Sequence, residues 1–265
     1  MELRKLLIFI IKGSDWEMKI VCIVQARVGS TRLPGKVLKT ICGETVLAHD
    51  ISRLRKVKNI DEIIVATTIL EKDDAIVKEC EKVKVRYFRG SEEDVLSRYY
   101  YAAKEAGADV IVRITSDCPL IDIEVTEKTI EFYLNNSYEY VSNTYERSFP
   151  RGFDTEVFSF KLLEKAFKEA KEEIYREHVT TYFWKNPEIF SIGCYKNDVD
   201  YSNYRLTLDT KEDFELIKII YNKLYYKNKY FGFKDIYFYN IIYLKLFENN
   251  HELYSINEMV KQKEV

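Results

Sequence analysis

The hydrophobic pattern of this chain alternates between short apolar runs and longer segments with helical spacing. Residues 20–24 are apolar at every position, which indicates a strand covered on both faces of a parallel sheet. Further strands are predicted at 62–68, 85–88 and 109–115, and helices at 45–57, 71–83 and 93–107. This alternation predicts an α/β fold with a mostly parallel sheet, right-handed crossovers and helices on both sides.

The pattern changes near Ser137, where the regular alternation ends. Extended segments are predicted around a turn at 150–152, and a helix with one apolar face follows them. That face carries Leu162, Leu163, Ala166, Phe167 and Ala170. One helix is predicted within 175–188, stopping before Pro187, and two final helices at 211–226 and about 235–248.

The first strand runs into a loop rich in glycine and cations, ARVGSTRLPGK at 26–36. Its cations are Arg27, Arg32 and Lys36. Gly29 and Gly35 allow close approach of the backbone to a ligand, and ligands of open α/β sheets bind at the carboxyl ends of strands. The loop therefore predicts a polyphosphate site, with backbone amides near Gly29, Ser30 and Thr31 completing it. The alternative is an ordinary basic surface turn, because short motifs give false matches.

Composition limits the classes of protein to which the chain can belong. Its 265 residues are 46% hydrophobic, which is enough for one large domain and excludes a disordered or fibrous protein. With a formal charge of −2, the protein has no overall positive potential that would attract nucleic acid, so no nucleic-acid partner is expected. The five cysteines stand singly, which predicts neither a zinc site nor a disulfide framework and favours the reducing cytosol.

The start of the chain is predicted to be an extension of a single domain. Its apolar run at 6–11 is far shorter than the roughly 20 residues that span a bilayer, and no signal-peptide cleavage site follows. We therefore expect no membrane insertion. The hypothesis is that Met18 is the working start, residues 1–17 are an extension and 18–265 form one domain.

Several motifs, in order along nearly the whole chain, resemble one enzyme family. They are QARVGSTRLPGKVLKTICGETVLAH, GSEEDVLSRYYYAA, VRITSDCPLID, RGFDTEVFSF, YREHVT, RLTLDTKEDFELI and NHELYSIN. Together they resemble the spore-coat polysaccharide type of cytidylyltransferase, a relative of the acylneuraminate and ketodeoxyoctonate cytidylyltransferases. The chain departs from that pattern at Gln25, where the sialic-acid-type enzymes have proline, and at Ser116, where family members often have glycine.

The resemblance implies a nucleotidyltransferase fold of the nucleotide-diphospho-sugar transferase type. It also implies an enzyme that uses CTP and Mg²⁺ to transfer CMP to a sugar or sugar-like acid and releases pyrophosphate, for surface polysaccharide or glycan synthesis. Charge on the departing pyrophosphate requires cations around the outer phosphates. Arg27 and Arg32 suit bidentate phosphate contacts, and Lys36 supplies a movable point charge near the bond that breaks.

Two aspartates follow strand patterns and are candidate ligands for Mg²⁺, which prefers oxygen. Asp117 follows VIVRITS, and Asp209 follows YRLTL. The alternative for Asp117 is a turn residue before a proline. For Asp209 the alternative is a role at a helix start, because Thr210 and Asp213 have the spacing of a capping pair. The resemblance favours metal ligation at both aspartates.

The nucleotide base is expected to meet backbone groups near Gln25 and Ala26 and the segment 66–68, which includes Thr67 and Thr68. The resemblance also implies that four further residues lie near the nucleotide: Gly90, Ser91, Asp94 and Arg98. Acidic residues at 92–94 have a structural alternative, since they begin a predicted helix and stabilise its N-terminal dipole.

A few residues are candidates for contacts with the acceptor or between subunits. Arg151, Asp154 and Glu156 are candidates for either role, and a homodimer formed through 145–158 is expected. His178 is a candidate for the acceptor pocket or for helix packing. His49 is expected to be a packed side chain and His251 to be exposed.

Two other functions remain open from the sequence. A nucleotide-sugar glycosyltransferase would have a similar architecture, but it would hold the diphosphate through an acidic D-x-D motif and would not need three cations in the first loop. A nucleotide-binding regulatory protein without turnover is the second alternative. The sequence does not identify the acceptor.

Overall fold

A computed structural model describes residues 18–246 of the chain. The predicted extension 1–17, His251 and the last positions of the final predicted helix lie outside the described residues. The domain division therefore stays a prediction.

The described residues form a seven-stranded sheet and a small two-stranded one. The strands are β1 (Ile20–Gln25), β2 (Thr40–Ile41), β3 (Glu44–Thr45), β4 (Glu62–Thr68), β5 (Arg86–Gly90), β6 (Val110–Thr115), β7 (Tyr140–Ser142), β8 (Glu156–Ser159) and β9 (Ile192–Cys194). The large sheet has the order β5-β4-β1-β6-β8-β7-β9, in which β8 runs antiparallel to both neighbours and the other pairs are parallel. The predicted mostly parallel sheet is confirmed.

Helices cover both faces of this sheet. They are α1 (Val46–Leu54), α2 (Asp74–Lys82), α3 (Val95–Ala106), α4 (Ile123–Asn135), α5 (Phe160–Glu169), α6 (Glu173–His178), α7 (Thr181–Trp184), α8 (Lys211–Leu224) and α9 (Phe233–Leu246). Leu47 and Ile51 of α1 pack on one face of the sheet, whereas Tyr99 and Ala103 of α3 pack on the other. Burial on both faces explains the unbroken apolar pattern of β1.

Two helical segments differ from the prediction. The helix α4 is not predicted from the hydrophobic pattern, although Asp122 caps it by accepting a hydrogen bond from the amide of Val125 at 3.1 Å. The single helix predicted within 175–188 is wrong, because the chain breaks between α6 and α7 at Val179. This buried residue has φ 51° and ψ −67°, and the amide of Thr180 bonds the carbonyl of His178 at 2.5 Å. The break is a γ-turn of the rare form with positive φ.

The segment predicted as a dimer contact, 145–158, packs largely on its own chain. Phe149 and Phe153 are buried, and its last residues belong to β8. Arg147 and Asp154 form a bidentate ion pair at 2.7 and 2.9 Å. Tyr145 is 45% exposed and leaves an aromatic surface on this segment.

The strand register brings the functional loops together. Gln25, the last residue of β1, lies beside Ala66 of β4 and Thr115 of β6. Asp117 lies two residues beyond the end of β6, and its carbonyl accepts the amide of Leu208 at 2.8 Å. The segment that carries Asp209 is thereby placed at the carboxyl edge of the parallel strands, where ligands of such sheets bind.

Candidate active site

The loop after β1 holds its shape through its own backbone. The carbonyl of Val28 accepts hydrogen bonds from the amides of Ser30 at 2.8 Å and Gly35 at 3.0 Å. The amide of Val28 donates to the carboxylate of Asp73 at 2.7 Å. Gly35 has φ +66°, a conformation that favours glycine. A Cβ on Gly29 would lie 3.2 Å from Nζ of Lys72, which is closer than an ordinary van der Waals contact. Because the Ser30 amide is used inside the loop, it is not free for a phosphate.

Lys36 lies at the centre of the site. Its ammonium donates to Oδ2 of Asp117 at 3.1 Å, Oδ1 of Asp209 at 2.9 Å and the carbonyl of Leu208 at 2.8 Å. The side chain is 13% exposed. Three oxygens from two separate segments thus surround one cation, and the predicted phosphate-binding loop and the two predicted metal ligands form one cluster.

Asp209 is not the residue that caps the following helix. Thr210 caps α8 by accepting the amide of Asp213, and Asp213 in turn accepts the amide of Thr210 at 2.9 Å. The carboxylate of Asp209 instead accepts from Lys36 and from Arg205 at 2.8 Å, and Arg32 lies 3.3 Å away. The capping pair suggested by the spacing exists, but it leaves the Asp209 carboxylate free to serve the site.

Charge pairing sets the ionisation of this cluster. Burial alone would lower the pKa of Lys36, but the charges of Asp117 and Asp209 outweigh burial and raise it. For the carboxylate of Asp209, burial acts in the opposite direction and would raise the pKa. The cations of Lys36, Arg205 and Arg32 nevertheless hold this pKa below its usual value. Both groups are therefore charged at neutral pH.

Asp50 lies fully buried on α1 near this cluster. Neither of its carboxyl oxygens has a hydrogen-bond partner among the described residues. Burial, together with the charge of Asp117, holds its pKa well above the usual range. Burial and the nearby carboxylate of Asp117 therefore both favour the neutral form of Asp50. Sequence reasoning missed it, because an aspartate within a helical pattern is ordinary.

A cleft of about 310 Å³, here called the central cleft, opens beside Lys36. It brings together twelve of the residues predicted from the sequence: Gln25, Ala26, Arg27, Gly29, Ser30, Thr31, Arg32, Lys36, Arg98, Asp117, His178 and Asp209. Arg98 is 2% exposed, and its Nε and Nη1 have no partner among the described residues. Burial lowers the pKa of Arg98, so an incoming anion would relieve an unfavourable buried charge.

Five predicted nucleotide residues lie outside the lining of the central cleft. Thr67 and Thr68 are buried at the end of β4, and Gly90 packs against Phe88 and Arg98. Ser91 accepts the amide of Asp94 at 3.0 Å, and Asp94 caps α3 and pairs with Arg176. The capping role of Asp94 agrees with the structural alternative for the acidic residues at the helix start.

A second space, here called the side pocket, has a volume of about 400 Å³. Asp154, Glu156 and His178 of the predicted acceptor residues line it. Thr115 and His178 line both spaces, so the side pocket adjoins the central cleft. Arg151 does not line it; its backbone instead bridges to the segment of Arg205, with the amide of Leu206 donating to its carbonyl at 2.7 Å.

Comparison with known proteins identifies the family. Residues 21–236 match the family described as cytidylyltransferase. The chain belongs to the cytidylyltransferase family. The resemblance of the sequence motifs to this family is thereby confirmed. The acidic D-x-D motif expected of a glycosyltransferase is not needed to explain the central cleft.

Individual relatives agree with this assignment. The spore coat polysaccharide biosynthesis protein SpsF of Bacillus subtilis is 37% identical over 211 residues, covering 77% of this chain and 87% of that protein. The uncharacterized protein MJ1063 of Methanocaldococcus jannaschii is 43% identical over 249 residues, covering 93% and 97%. A solved cytidylyltransferase structure from Leptospira borgpetersenii has a TM-score of 0.81 and 34% identity, covering 94% of this chain and 99% of its own.

The oxygen donors of this cytidylyltransferase suit a hard divalent cation. Within the part of the chain that the structure describes, no group of three or more His, Cys, Asp or Glu side chains forms a metal cluster. Two carboxylates nevertheless converge on the Lys36 ammonium, and Mg²⁺ is commonly held by one or two carboxylates together with phosphates and water. The residues present therefore fit the ion that the family resemblance implies.

Sequence reasoning missed Arg113, which lines the side pocket of the cytidylyltransferase beside the predicted Glu156. Arg113 on β6 lies opposite Glu156 on β8, and the two form a buried ion pair. Glu156 also accepts from the hydroxyls of Tyr140 at 2.5 Å and Thr180 at 2.6 Å. Burial would lower the pKa of Arg113, but the charge of Glu156 raises it. The only sequence signal was an arginine inside an apolar strand.

None of the helices among the described residues is long and apolar enough to cross a membrane. All five cysteines have free thiols.

Proposed function

We propose that this cytidylyltransferase transfers CMP from CTP to a sugar or sugar-like acid for surface polysaccharide or glycan synthesis and works in the cytosol. The observation that carries the proposal is the cluster of Lys36, Asp117 and Asp209 beside a cation-rich loop. The side pocket, which adjoins the central cleft, supplies room for the acceptor. The alternative of a regulatory protein without turnover predicts binding of CTP with no release of pyrophosphate.

In this reaction an acceptor oxygen forms a bond to the α-phosphorus of CTP, and the bond from that phosphorus to the β-phosphate oxygen breaks. Pyrophosphate leaves with the bonding electrons, and the acceptor proton passes to solvent. Arg27, Arg32 and Lys36 stabilise the charge on the leaving group. Asp117 and Asp209 would hold Mg²⁺, which neutralises phosphate charge when bound.

The nucleotide preference is testable without knowing the acceptor. CTP with Mg²⁺ should stabilise the protein more than ATP, GTP or UTP, because ligand that binds only the native state raises the free energy of unfolding. At a concentration of one hundred times Kd the expected gain is about 2.7 kcal/mol. Thermal shift with each nucleotide measures it. Equal thermal shifts for all four nucleotides would agree with a polyphosphate site but would contradict the cytidine preference.

A homodimer is the proposed assembly, supported by the exposed Tyr145 on the segment 145–158. Light scattering should give twice the chain mass of 31.5 kDa. Tyr145→Glu should shift the protein toward the monomer, because it places a charge in the interface. Tyr226→Glu is the matched control, since Tyr226 is 78% exposed elsewhere on the surface. If light scattering shows that the unsubstituted protein is a monomer at working concentration, the proposed homodimer is wrong.

A further inference from the structure

The peptide group between Arg27 and Val28 is held from outside its own loop. The Val28 carbonyl closes the loop by accepting hydrogen bonds from Ser30 and Gly35. The Val28 amide points the other way and donates to Oδ1 of Asp73, which is 45 positions further along the chain. Asp73 is fully buried and lies outside the lining of the central cleft. A residue behind the cleft therefore fixes the backbone of the cation-rich loop.

Asp73 has the position of a capping residue but does not act as one. It is the N-cap of α2, where an aspartate usually accepts a hydrogen bond from an amide of the first helical turn. Its side chain makes no such bond and accepts from the Val28 amide and the Thr68 hydroxyl instead. The Thr68 hydroxyl also accepts the amide of Leu70 at 3.2 Å. The carboxylate of Asp73 thus links the loop to the end of β4.

This contact determines the placement of Arg27. The Val28 amide belongs to the same planar peptide group as the Arg27 carbonyl, so its direction fixes the backbone at Arg27. The residue next to Asp73 acts on the far end of the arginine side chain. Nζ of Lys72 lies 2.8 Å from Oε1 of Glu92, and this oxygen lies 3.8 Å from Nη1 of Arg27. Both ends of Arg27 are therefore tied to Lys72 and Asp73.

We infer that Asp73 is a positioning residue for nucleotide binding, which acts through the Val28 amide to direct Arg27 toward the outer phosphates of CTP. The inference rests on the proposed function, in which Arg27 contacts those phosphates. A loop that is already held in place binds more tightly, because less ordering is needed when the ligand arrives. The contact between an amide and a carboxylate suits this role, since hydrogen bonds to charged groups are stronger than neutral ones.

Calorimetric titration with CTP and Mg²⁺, compared with CMP, tests the inference because CMP lacks the two outer phosphates. Asp73→Ala should weaken CTP binding about tenfold, the loss that corresponds to one hydrogen bond to a charged group. Binding of CMP should stay unchanged. Asp73→Asn should keep the affinity for CTP, because its side-chain oxygen still accepts a hydrogen bond from the Val28 amide.

Asp74→Ala is the matched control, because Asp74 lies at the same helix start and pairs with Arg89 at 2.7 Å rather than with the loop. It should leave both affinities unchanged. Circular dichroism checks the fold of each variant. If Asp73→Ala does not fold, Asp73→Ser carries the same expectation, because its hydroxyl is one bond shorter than the carboxylate and leaves the Val28 amide without an acceptor.

Unchanged CTP binding in Asp73→Ala, or an equal loss of CTP and CMP binding, would overturn the inference. An Asp73→Asn protein that loses CTP affinity as fully as Asp73→Ala would assign the effect to charge rather than to the hydrogen bond and would also overturn it. The unsubstituted protein separates the two proposals. If it does not bind CTP, the proposed function and the inference are both wrong, whereas CTP binding that is insensitive to Asp73→Ala rejects the inference alone.

Discussion

Lys36→Ala is expected to lower turnover by about a hundredfold or more, the loss that follows removal of one preorganised charge-stabilising group. Lys36 is the only residue whose ammonium contacts both Asp117 and Asp209 among the described residues. Its loss leaves the departing pyrophosphate without the nearest cation. Pyrophosphate release under saturating CTP and Mg²⁺ measures the effect.

The same substitution has a second consequence that does not depend on turnover. The Lys36 ammonium occupies the space between the two carboxylates, so it repels a divalent cation when no nucleotide is present. Without it, Mn²⁺ should bind the free protein at least about tenfold more tightly, since a unit charge a few ångströms away opposes a divalent ion by about 2 kcal/mol even in water. Titration followed by electron paramagnetic resonance measures this affinity.

Lys39→Ala is the matched control, because Lys39 lies one turn further along and faces the ring of Phe214 at 5.4 Å. It should keep normal turnover and normal Mn²⁺ binding. Circular dichroism should show an intact fold for Lys36→Ala, since Asp209 keeps its contact with Arg205. Normal turnover in Lys36→Ala would refute the role assigned to this lysine.

Arg32→Ala should also lower turnover while leaving stability nearly unchanged. The side chain is 63% exposed and makes one ion pair with Asp209 at 3.3 Å. Exposed substitutions of this kind usually change stability by no more than about 0.5 kcal/mol. Turnover and chemical denaturation, measured on the same preparation, distinguish a catalytic loss from unfolding.

The second large effect is expected at the two carboxylates. Asp117→Asn and Asp209→Asn should each abolish most of the Mg²⁺-dependent turnover, because a neutral amide is a weaker ligand for a hard cation. The pKa of Asp209 lies below its usual value, so the carboxylate is ionised at neutral pH and the substitution removes a full charge. Turnover measured across Mg²⁺ concentrations reports the change.

Thr210→Ala separates the metal role from the helix start. Thr210 is the capping residue of α8, and its loss should lower the free energy of unfolding by about 1 kcal/mol while turnover stays close to normal. Asp209→Asn should show the opposite pattern. Normal activity and normal Mg²⁺ dependence in Asp209→Asn would leave the site resting on Asp117 alone.

The sequence by itself determined the parts of the protein that depend on local pattern. The unbroken apolar run at 20–24 and the helical spacing of the segments after it were sufficient to predict a parallel sheet with helices on both faces. Burial of a strand on both sides excludes polar residues from it. The loop from Arg27 to Lys36 is predicted to be an anion site from the sequence alone, because its glycines and cations are contiguous in the chain. The motifs along the chain also identified the family.

Tertiary structure alone decided how distant residues combine. Lys36 meets Asp209 across 173 positions, and the hydrogen bond from the amide of Leu208 to the carbonyl of Asp117 helps to hold Asp209 there. The spacing of Thr210 and Asp213 left the role of Asp209 open, since a carboxylate beside a helix start can serve either purpose. The turn at Val179 was hidden, because a buried β-branched residue with positive φ has no local sequence signal. That turn sets the positions of α6 and α7, which contribute Ile174 and Trp184 to the lining of the side pocket.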